Sequence, residues 1–141
     1  MIGIIGAVIE EAEAIKKEIK EIKENVINGI SFFTGKFNYK DVVFVQSGIG
    51  KVNAAITATL LIEKFKVSEV IFSGVAGALD ERLKVGDVVI GCDIVQHDVD
   101  ATAFGYKMGQ IPQMKEWAFE SDKKLVEKAQ NISDFDHHIF F

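Results

Sequence analysis

The sequence is poor in cysteine, proline and arginine, each of which occurs once in 141 residues. The single cysteine, Cys92, cannot form an internal disulfide, and this is typical of proteins from reducing compartments. Arg82 is the one arginine among 16 basic residues. Because bidentate recognition of phosphate relies on arginine, we expect no nucleic-acid partner.

Long apolar runs are absent as well. No stretch approaches the roughly 20 apolar residues that span a bilayer. The apolar start of the chain meets Glu10 and Glu11 without a basic segment or a cleavage site, so we expect neither a membrane segment nor a signal peptide. With 48% hydrophobic residues, 26% charged residues and a formal charge of −5, the composition predicts a soluble cytoplasmic protein that forms one domain over residues 1–141.

Apolar runs and helical periods alternate along the chain. Residues 1–6 form a continuous apolar run, which indicates a strand covered on both faces. The segment 10–24 follows, and Ile15, Ile19 and Ile22 predict that it is helical. Further strands are predicted at Ser31–Phe37, Val42–Gln46, Val70–Ser73 and Leu83–Cys92, the first two as a hairpin or meander. Further helices are predicted at 52–65 and Ser121–Gln130. This order predicts an α/β fold with a largely parallel sheet.

Burial is predicted for particular parts of these elements. Val70–Ser73 is predicted to be a buried strand, and Ser121 to cap the last helix. The apolar end of the chain, 139–141, indicates the opening of a further strand, which needs neighbours to cover it. A chain that stops within its fold explains this end, and a short terminal edge strand is the alternative. The helix at 52–65 is predicted to bury a face formed by Ala54, Ala55, Ala58, Leu61 and Ile62.

Three segments that follow predicted strands carry residues suited to ligand binding. Glu10 and Glu11 could act as general bases on water, although acids in a first helical turn also stabilise the helix dipole. Ser47–Lys51 resembles a phosphate cradle without matching the Walker A or dinucleotide patterns, and it is equally typical of a tight turn. Gly74–Gly77 allows a flat ligand or a close helix against the backbone. Because the carboxyl ends of parallel strands share one edge of a sheet, these segments predict one pocket.

The segment Asp93–Gln113 predicts a long loop, and such loops are usually functional. His97 with Asp98 and Asp100 could hold a divalent metal, but a self-satisfied polar loop is the commoner arrangement. Asp136–His138 is a weaker case, which a solvated turn explains. The long loop also carries three apolar residues that could line a pocket or a subunit interface: Phe104, Tyr106 and Pro112.

Six motifs follow one another along the chain: IGIIGAVIEE, FFTGKF, SGIGKVNAA, SGVAGAL, LKVGDVVI and QHDVDATAFGYKMGQIP. Together they resemble the 5′-methylthioadenosine/S-adenosylhomocysteine nucleosidases, a family within the purine nucleoside phosphorylase superfamily. The resemblance covers nearly all of this chain but only the N-terminal part of a family member. It implies a homodimer without cofactor or metal, and a three-layer α/β/α fold with a mixed, largely parallel sheet that is incomplete at the C-terminus.

The resemblance also implies roles for particular residues. Glu11 falls where the family has the glutamate that activates the attacking water. Val8 falls near the 5′-alkylthio and sugar region, and Ile49 falls where an apolar residue lines the alkylthio pocket. The segment that contacts the nucleoside is matched by Val75, Ala76 and Gly77, and the loop that enters the partner subunit's pocket by Phe104, Tyr106 and Pro112.

The implied activity is hydrolysis of the N-glycosidic bond of 5′-methylthioadenosine and S-adenosylhomocysteine to adenine and the thioribose, in methionine salvage and methyl-cycle recycling. The family residues that bind the base and ribose and protonate the leaving base fall beyond Phe141, so we expect this chain alone to be weak or inactive. A phosphate-dependent purine nucleoside phosphorylase is the near alternative, although one arginine suits phosphate poorly. A non-catalytic nucleoside-binding fragment is the second alternative, and a metal hydrolase using His97 and Asp98 is the third.

Overall fold

The computed structural model describes residues 1–132 and 139–140, except for the side chains of residues 9–12 and 139–140. The chain divides into two compact units, Met1–Gly77 and Ala78–Phe141. Within the described part of the chain, no helix has the length and the apolar character needed to cross a membrane.

The first unit is a mixed sheet with helices. Its elements are β1 (Ile2–Gly6), α1 (Ile9–Glu18), β2 (Lys20–Ile27), β3 (Ile30–Phe37), β4 (Lys40–Gln46), α2 (Lys51–Phe65) and β5 (Glu69–Phe72). The strands lie in the order β2-β3-β4-β1-β5. The strands β4, β1 and β5 are mutually parallel, whereas β3 is antiparallel to both β2 and β4. The predicted α/β class, the mixed sheet and the β3–β4 hairpin are therefore confirmed.

Apolar side chains cover both faces of this sheet. On one face, Leu61 of α2 belongs to a buried cluster with Phe32 and Val43. On the other face, Ile15 of α1 packs against a buried cluster that contains Phe44. Because successive residues of a strand point to opposite faces, Val43 and Phe44 place the two helices on opposite sides of β4. The unit therefore has the expected α/β/α layers.

The predicted first helix is too long. It ends at Glu18, and the segment that carries Ile22 forms β2, paired antiparallel with β3. Ile19, at the junction, is buried beside Val42 and Phe44. Strand pairing gives the backbone of β2 hydrogen-bond partners, Ile19 beside it is buried, and this tertiary gain overrides the local helical propensity.

The second helix is confirmed, and its predicted buried face is correct for Leu61 and Ala58 but wrong for Ala55 and Ile62. Thr57 and Leu61 are fully buried, whereas Ala55 and Ile62 are exposed. Leu61 packs closely against β1, since a Cβ on Gly3 would lie 3.2 Å from Cδ1 of Leu61. A larger residue than glycine at position 3 would push the helix away from the sheet.

The strand β5 was expected to be buried and is exposed. Val70, Ile71 and Phe72 are all exposed, because β5 pairs with β1 on one side and is the edge of the described sheet. A continuous apolar run is typical of strands that are covered on both faces, so these side chains form an apolar edge on the first unit.

The second unit has short elements. They are β6 (Val88–Val89), β7 (Asp93–Ile94), a 3₁₀ turn (Thr102–Phe104), β8 (Phe119–Glu120), α3 (Lys123–Gln130) and β9 (Ile139–Phe140). The strand β6 pairs parallel with β9, and β7 pairs antiparallel with β8. The predicted strand at the chain end is confirmed at 139–140, whereas Phe141 and the Asp136–His138 cluster lie outside the described residues.

Two predictions for the second unit are wrong in detail. The strand expected at Leu83–Cys92 is reduced to β6, because Asp87 closes a turn by accepting a hydrogen bond from the amide of Lys84 at 2.7 Å. The cap of α3 is Asp122, whose carboxylate accepts from two backbone amides of the first turn. Ser121 instead donates its hydroxyl to the carbonyl of Gly91 at 2.6 Å.

Replacing Thr57 by valine is expected to raise the free energy of unfolding by about 1 kcal/mol. Thr57 is fully buried, and none of the described residues forms a hydrogen bond with its hydroxyl. Valine has a similar shape and removes an unpaired polar group from the core. Urea denaturation followed by circular dichroism measures the change.

Thr59→Val is the matched control on the same helix. The hydroxyl of Thr59 is exposed and donates to the carbonyl of Ala55 at 2.8 Å, so its loss is expected to change stability by less than about 0.5 kcal/mol. A Thr57→Val variant less stable than the unmodified protein would contradict the assignment of an unsatisfied hydroxyl.

Candidate functional site

The carboxyl ends of three parallel strands meet at one edge of the first unit. The strand β1 lies between β4 and β5, with Gly6 opposite Gln46 and Ile5 opposite Phe72. The amide of Ser47 donates to the carbonyl of Gly6 at 2.9 Å, and the amide of Ser73 donates to the carbonyl of Ile5 at 3.0 Å. The segments 7–11, 47–50 and 73–77 therefore leave the sheet side by side, and we call this edge the strand-end rim.

The first segment of the strand-end rim joins β1 to α1. Val8 is half-buried, and the helix begins at Ile9. Glu11 lies in the first turn of this helix. The sequence placed Glu11 at a strand end, and its backbone position agrees. Its role as a base stays a prediction.

The second segment is a glycine turn between β4 and α2. Gly48 and Gly50 have φ angles of +78° and +102°, a region that other residues rarely adopt. The side-chain amide of Asn53 donates to the carbonyl of Ile49 at 2.8 Å and fastens the turn to the helix. Ile49 is 79% exposed, so this turn presents an apolar side chain to solvent.

The third segment follows β5 and is open. Val75 is 86% exposed, and Ala76 and Gly77 are exposed as well. Among the described residues, no atom lies within 4 Å of the place that a Cβ on Gly77 would take. The backbone of this segment is therefore accessible to a flat ligand, which is the function that its small residues predict.

A cavity of about 570 Å³ borders the strand-end rim on the α1 side of the sheet. Ligand pockets commonly have this size. The ammonium of Lys16 lies 3.6 Å from the ring centroid of Phe33 at its wall. The sequence did not predict this cavity, because a phenylalanine in an apolar strand, such as Phe33, has the same sequence pattern whether it lines a cavity or lies in the core. The cavity is lined by Glu13, Lys16, Gly29, Ile30, Ser31, Phe33, Phe44, Gln46, Ser47 and Gly48.

The three apolar residues of the long loop lie in the second unit. Phe104 ends the 3₁₀ turn and is 83% exposed. The hydroxyl of Tyr106 accepts from the amide of Gln113 at 3.2 Å, which ties Tyr106 to the residue after Pro112. This hydrogen bond holds Tyr106 near Pro112 in space, whereas Phe104 lies on a separate turn.

The turn that carries Phe104 is capped by Asp100. Its carboxylate accepts from the amide of Thr102 at 3.0 Å and from the hydroxyl of Thr102 at 2.7 Å. These hydrogen bonds hold the pKa of Asp100 below its usual value. Asp100, expected as a possible metal ligand, therefore stabilises the loop.

The described residues offer little support for a metal site or a phosphate-binding site. His97 and Asp98 are exposed, and no cluster of three or more His, Cys, Asp or Glu side chains suited to a metal occurs in the part of the chain that the structure describes. The guanidinium of Arg82 binds Asp80, with Nη2 2.6 Å from Oδ2, and this lowers the pKa of Asp80 to about 2. The one arginine is therefore already engaged by a carboxylate.

The strand-end rim thus combines a glycine turn at Gly48 and Gly50 with an open segment of small residues after β5. A family model described as the phosphorylase superfamily matches residues 1–139. This chain belongs to the phosphorylase superfamily. The match spans both compact units, so the superfamily sequence pattern continues across the boundary between them.

Within the superfamily, the chain is similar to a group of nucleosidases. The chain is 54% identical over 132 residues to the 5′-methylthioadenosine/S-adenosylhomocysteine nucleosidase of Staphylococcus haemolyticus. The matched residues make up 94% of this chain and 58% of the relative. Its structure is similar to the crystal structure of such a nucleosidase from Colwellia psychrerythraea in complex with adenine, with a TM-score of 0.93 and 41% identity. The match covers 99% of this chain and 57% of that one. The resemblance inferred from the six motifs is confirmed.

The fold is also shared with a hydrolase that is named for a different substrate. A futalosine hydrolase of Helicobacter pylori matches with a TM-score of 0.89, 34% identity and coverage of 99% of this chain and 64% of that one. In each comparison the chain spans less than two thirds of the length of its relative. The similarity therefore concerns a shared part of these proteins.

Gly109→Ala is expected to destabilise the second unit more than Gly105→Ala. Both glycines have positive φ angles, +83° and +86°, so both variants carry the strain of an L-residue, about 1 kcal/mol. A Cβ on Gly109 would also overlap the side chain of Val95, whereas the space beside Gly105 is open among the described residues. The difference between the variants isolates this overlap.

The single tryptophan reports on the same loop. The indole of Trp117 donates to the carbonyl of Met108 at 2.8 Å, directly beside Gly109. We expect Gly109→Ala to red-shift the emission of Trp117 in the folded protein and to lower its thermal midpoint, with smaller changes for Gly105→Ala. Equal effects in the two variants would show that Val95 does not hold Gly109.

Proposed function

We propose that this protein takes part in hydrolysis of the N-glycosidic bond of 5′-methylthioadenosine and S-adenosylhomocysteine, giving adenine and the thioribose. The observation that carries the proposal is the strand-end rim, where Glu11 and two small-residue segments follow three adjacent parallel strands. The 54% identity to a staphylococcal nucleosidase supports this substrate class over that of the less similar futalosine hydrolase.

The chemistry assigns a role to each segment. Cleavage of an N-glycosidic bond passes through an oxocarbenium-like state and needs a base that activates water. Glu11 is the candidate base. The exposed side chain of Ile49 and the half-buried Val8 are suited to an apolar 5′-alkylthio group. The accessible backbone at the third segment is suited to the flat face of a nucleoside, and this segment comprises Val75, Ala76 and Gly77.

The second unit is proposed to serve a neighbouring subunit. In this proposal the protein is a homodimer, and Phe104, Tyr106 and Pro112 enter the partner's pocket. Support comes from the exposure of Phe104 on a hydrogen-bonded turn, since a turn whose backbone is already ordered loses little entropy on binding. Residues 1–141 would then act as one domain in the cytoplasm, in methionine salvage, as the single cysteine is consistent with a reducing compartment.

Water is favoured over phosphate as the nucleophile. A phosphorylase needs cations that bind phosphate, and the one arginine of the chain, Arg82, is engaged by Asp80. The chain spans 58% of its staphylococcal relative, and Glu11 supplies the base without an identified acid for the leaving adenine. We therefore propose that these 141 residues alone have weak activity or none.

Adenine release from 5′-methylthioadenosine by the purified chain tests this proposal. We expect slow release at most, and a loss of at least about 100-fold in Glu11→Gln, because a positioned general base contributes about 10²- to 10⁴-fold. Glu18→Gln is the matched control, since Glu18 ends the same helix and is exposed. Its rate should equal that of the unmodified chain. Chromatographic separation of adenine from the nucleoside measures both rates.

Other results would favour the alternatives. Release that requires phosphate and yields a sugar phosphate would indicate a phosphorylase. Nucleoside binding without turnover, equal in the unmodified chain and in Glu11→Gln, would indicate a binding fragment. Turnover as fast as that of the staphylococcal relative would contradict the expected weakness of the isolated chain.

A further inference from the structure

The glycine turn between β4 and α2 combines a freely rotating backbone with one exposed apolar side chain. Gly48 and Gly50 flank Ile49, and both have positive φ angles. Glycine loses more conformational freedom than any other residue when its backbone is ordered. Gly50 is also the N-cap of α2, and no side-chain hydrogen bond caps the helix there. Contacts from outside the turn are therefore needed to hold Ile49 in one place.

The side chain of Asn53 supplies such a contact. Its Nδ2 donates to the carbonyl of Ile49 at 2.8 Å. The same nitrogen lies 3.4 Å from the place that a Cβ on Gly48 would take, so the amide group also packs against the first glycine of the turn. Within the described part of the chain, the carbonyl of Ile49 accepts no other hydrogen bond.

Backbone hydrogen bonds fix the two ends of the turn. At its start, the amide of Ser47 donates to the carbonyl of Gly6 at 2.9 Å, and at its end the amide of Ala54 donates to the carbonyl of Gly50 at 3.1 Å. The peptide between these anchors is the part that the asparagine side chain holds. An intramolecular hydrogen bond changes an equilibrium by roughly two- to tenfold, which is enough to order or release a glycine-flanked residue.

We propose that Asn53 is a positioning residue that sets the preference of the site for an apolar 5′ substituent. The inference rests on the proposed function, in which the side chain of Ile49 contacts the 5′-alkylthio group. Asn53 acts through Ile49 and makes no contact of its own with the nucleoside. Because an apolar contact weakens when the atoms are displaced by a fraction of an ångström, its strength depends on an ordered turn.

Two nucleosides that differ only at the 5′ position separate this role from a general one. 5′-Methylthioadenosine carries an apolar methylthio group there, whereas adenosine carries a hydroxyl, which is costly to take out of water. The base and the rest of the sugar are the same in both. A displaced Ile49 therefore weakens the binding of 5′-methylthioadenosine alone, whereas a distorted site weakens the binding of both nucleosides.

Isothermal titration calorimetry of Asn53→Ala with the two nucleosides tests the proposal. We expect the dissociation constant of 5′-methylthioadenosine to rise about three- to tenfold and that of adenosine to change by less than about twofold. Asn131→Ala is the matched control, because the side-chain amide of Asn131 also donates to a carbonyl four residues earlier, that of Glu127, at 2.8 Å. Both of its dissociation constants should equal those of the unmodified chain. An equal loss for the two nucleosides in Asn53→Ala would overturn the proposal.

Asn53→Asp separates positioning from helix stability. A carboxylate in the first turn of α2 is favoured by the helix dipole, but it cannot donate a hydrogen bond to the carbonyl of Ile49. We expect a thermal midpoint at or above that of the unmodified chain, together with the same loss of preference as in Asn53→Ala. An aspartate variant that keeps the preference would show that the hydrogen bond does not place Ile49.

A double-mutant cycle tests whether Asn53 acts through Ile49. Ile49→Ala should by itself raise the dissociation constant of 5′-methylthioadenosine, and adding Asn53→Ala should raise it by less than about twofold more, because both changes remove one contact. Losses that multiply would place the action of Asn53 elsewhere and contradict the proposal.

Nitrogen-15 relaxation of the unliganded chain measures the order of the turn directly. We expect the order parameter of the Ile49 amide to fall from about 0.85 in the unmodified chain to below about 0.6 in Asn53→Ala. Unchanged order would overturn the role of Asn53.

The outcomes distinguish this inference from the proposed function. A chain that prefers 5′-methylthioadenosine, with the preference intact in Asn53→Ala, would overturn the role of Asn53 and leave the proposed function standing. A chain that binds neither nucleoside would contradict both. The adenine assay with Glu11→Gln tests hydrolysis independently of either result.

Discussion

The parallel pairing of β1 with a strand on each side is the constraint on which the candidate site depends. Parallel neighbours end at the same edge of a sheet, so the segments after β4, β1 and β5 emerge together. If β1 ran the other way, Glu11 and the glycine turn at Gly48 would lie on opposite edges, and no local change could bring them together. The hydrogen bonds of Ser47 and Ser73 to β1 carbonyls extend this register into the rim itself.

Apolar burial on both faces holds the parallel strands in place. The clusters around Phe32 and Phe44 lie on opposite faces of the sheet, and a fully buried phenylalanine contributes about 1.5–3 kcal/mol. The same unit leaves other apolar side chains uncovered, at the edge strand β5 and along the outer side of α2. The buried side chains form a core that positions the rim. The exposed apolar side chains form faces that are suited to contacts with other polypeptides.

The second unit has hydrogen-bonded turns and little buried apolar surface among its described residues. Its buried apolar side chain among the described residues is Ala101, and order comes instead from hydrogen bonds such as those of Asp100 and Trp117. A turn held in this way presents Phe104 at low entropic cost. The superfamily match across residues 1–139 covers both this loop and the segments of the rim.

Local pattern in the sequence determined β1, the β3–β4 hairpin, α2 and the order of the three strand-end segments, because continuous apolar runs, turn residues and glycine turns act over a few neighbours. The motifs also determined the family resemblance. Only the tertiary structure decided that α1 ends at Glu18, that α2 turns Ala55 and Ile62 outward, and that a cavity opens beside Phe33. Those features depend on the pairing of β2 with β3 and on the close contact of Gly3 with Leu61, two residues that are far apart in the chain. Neither contact leaves a periodic mark in the sequence.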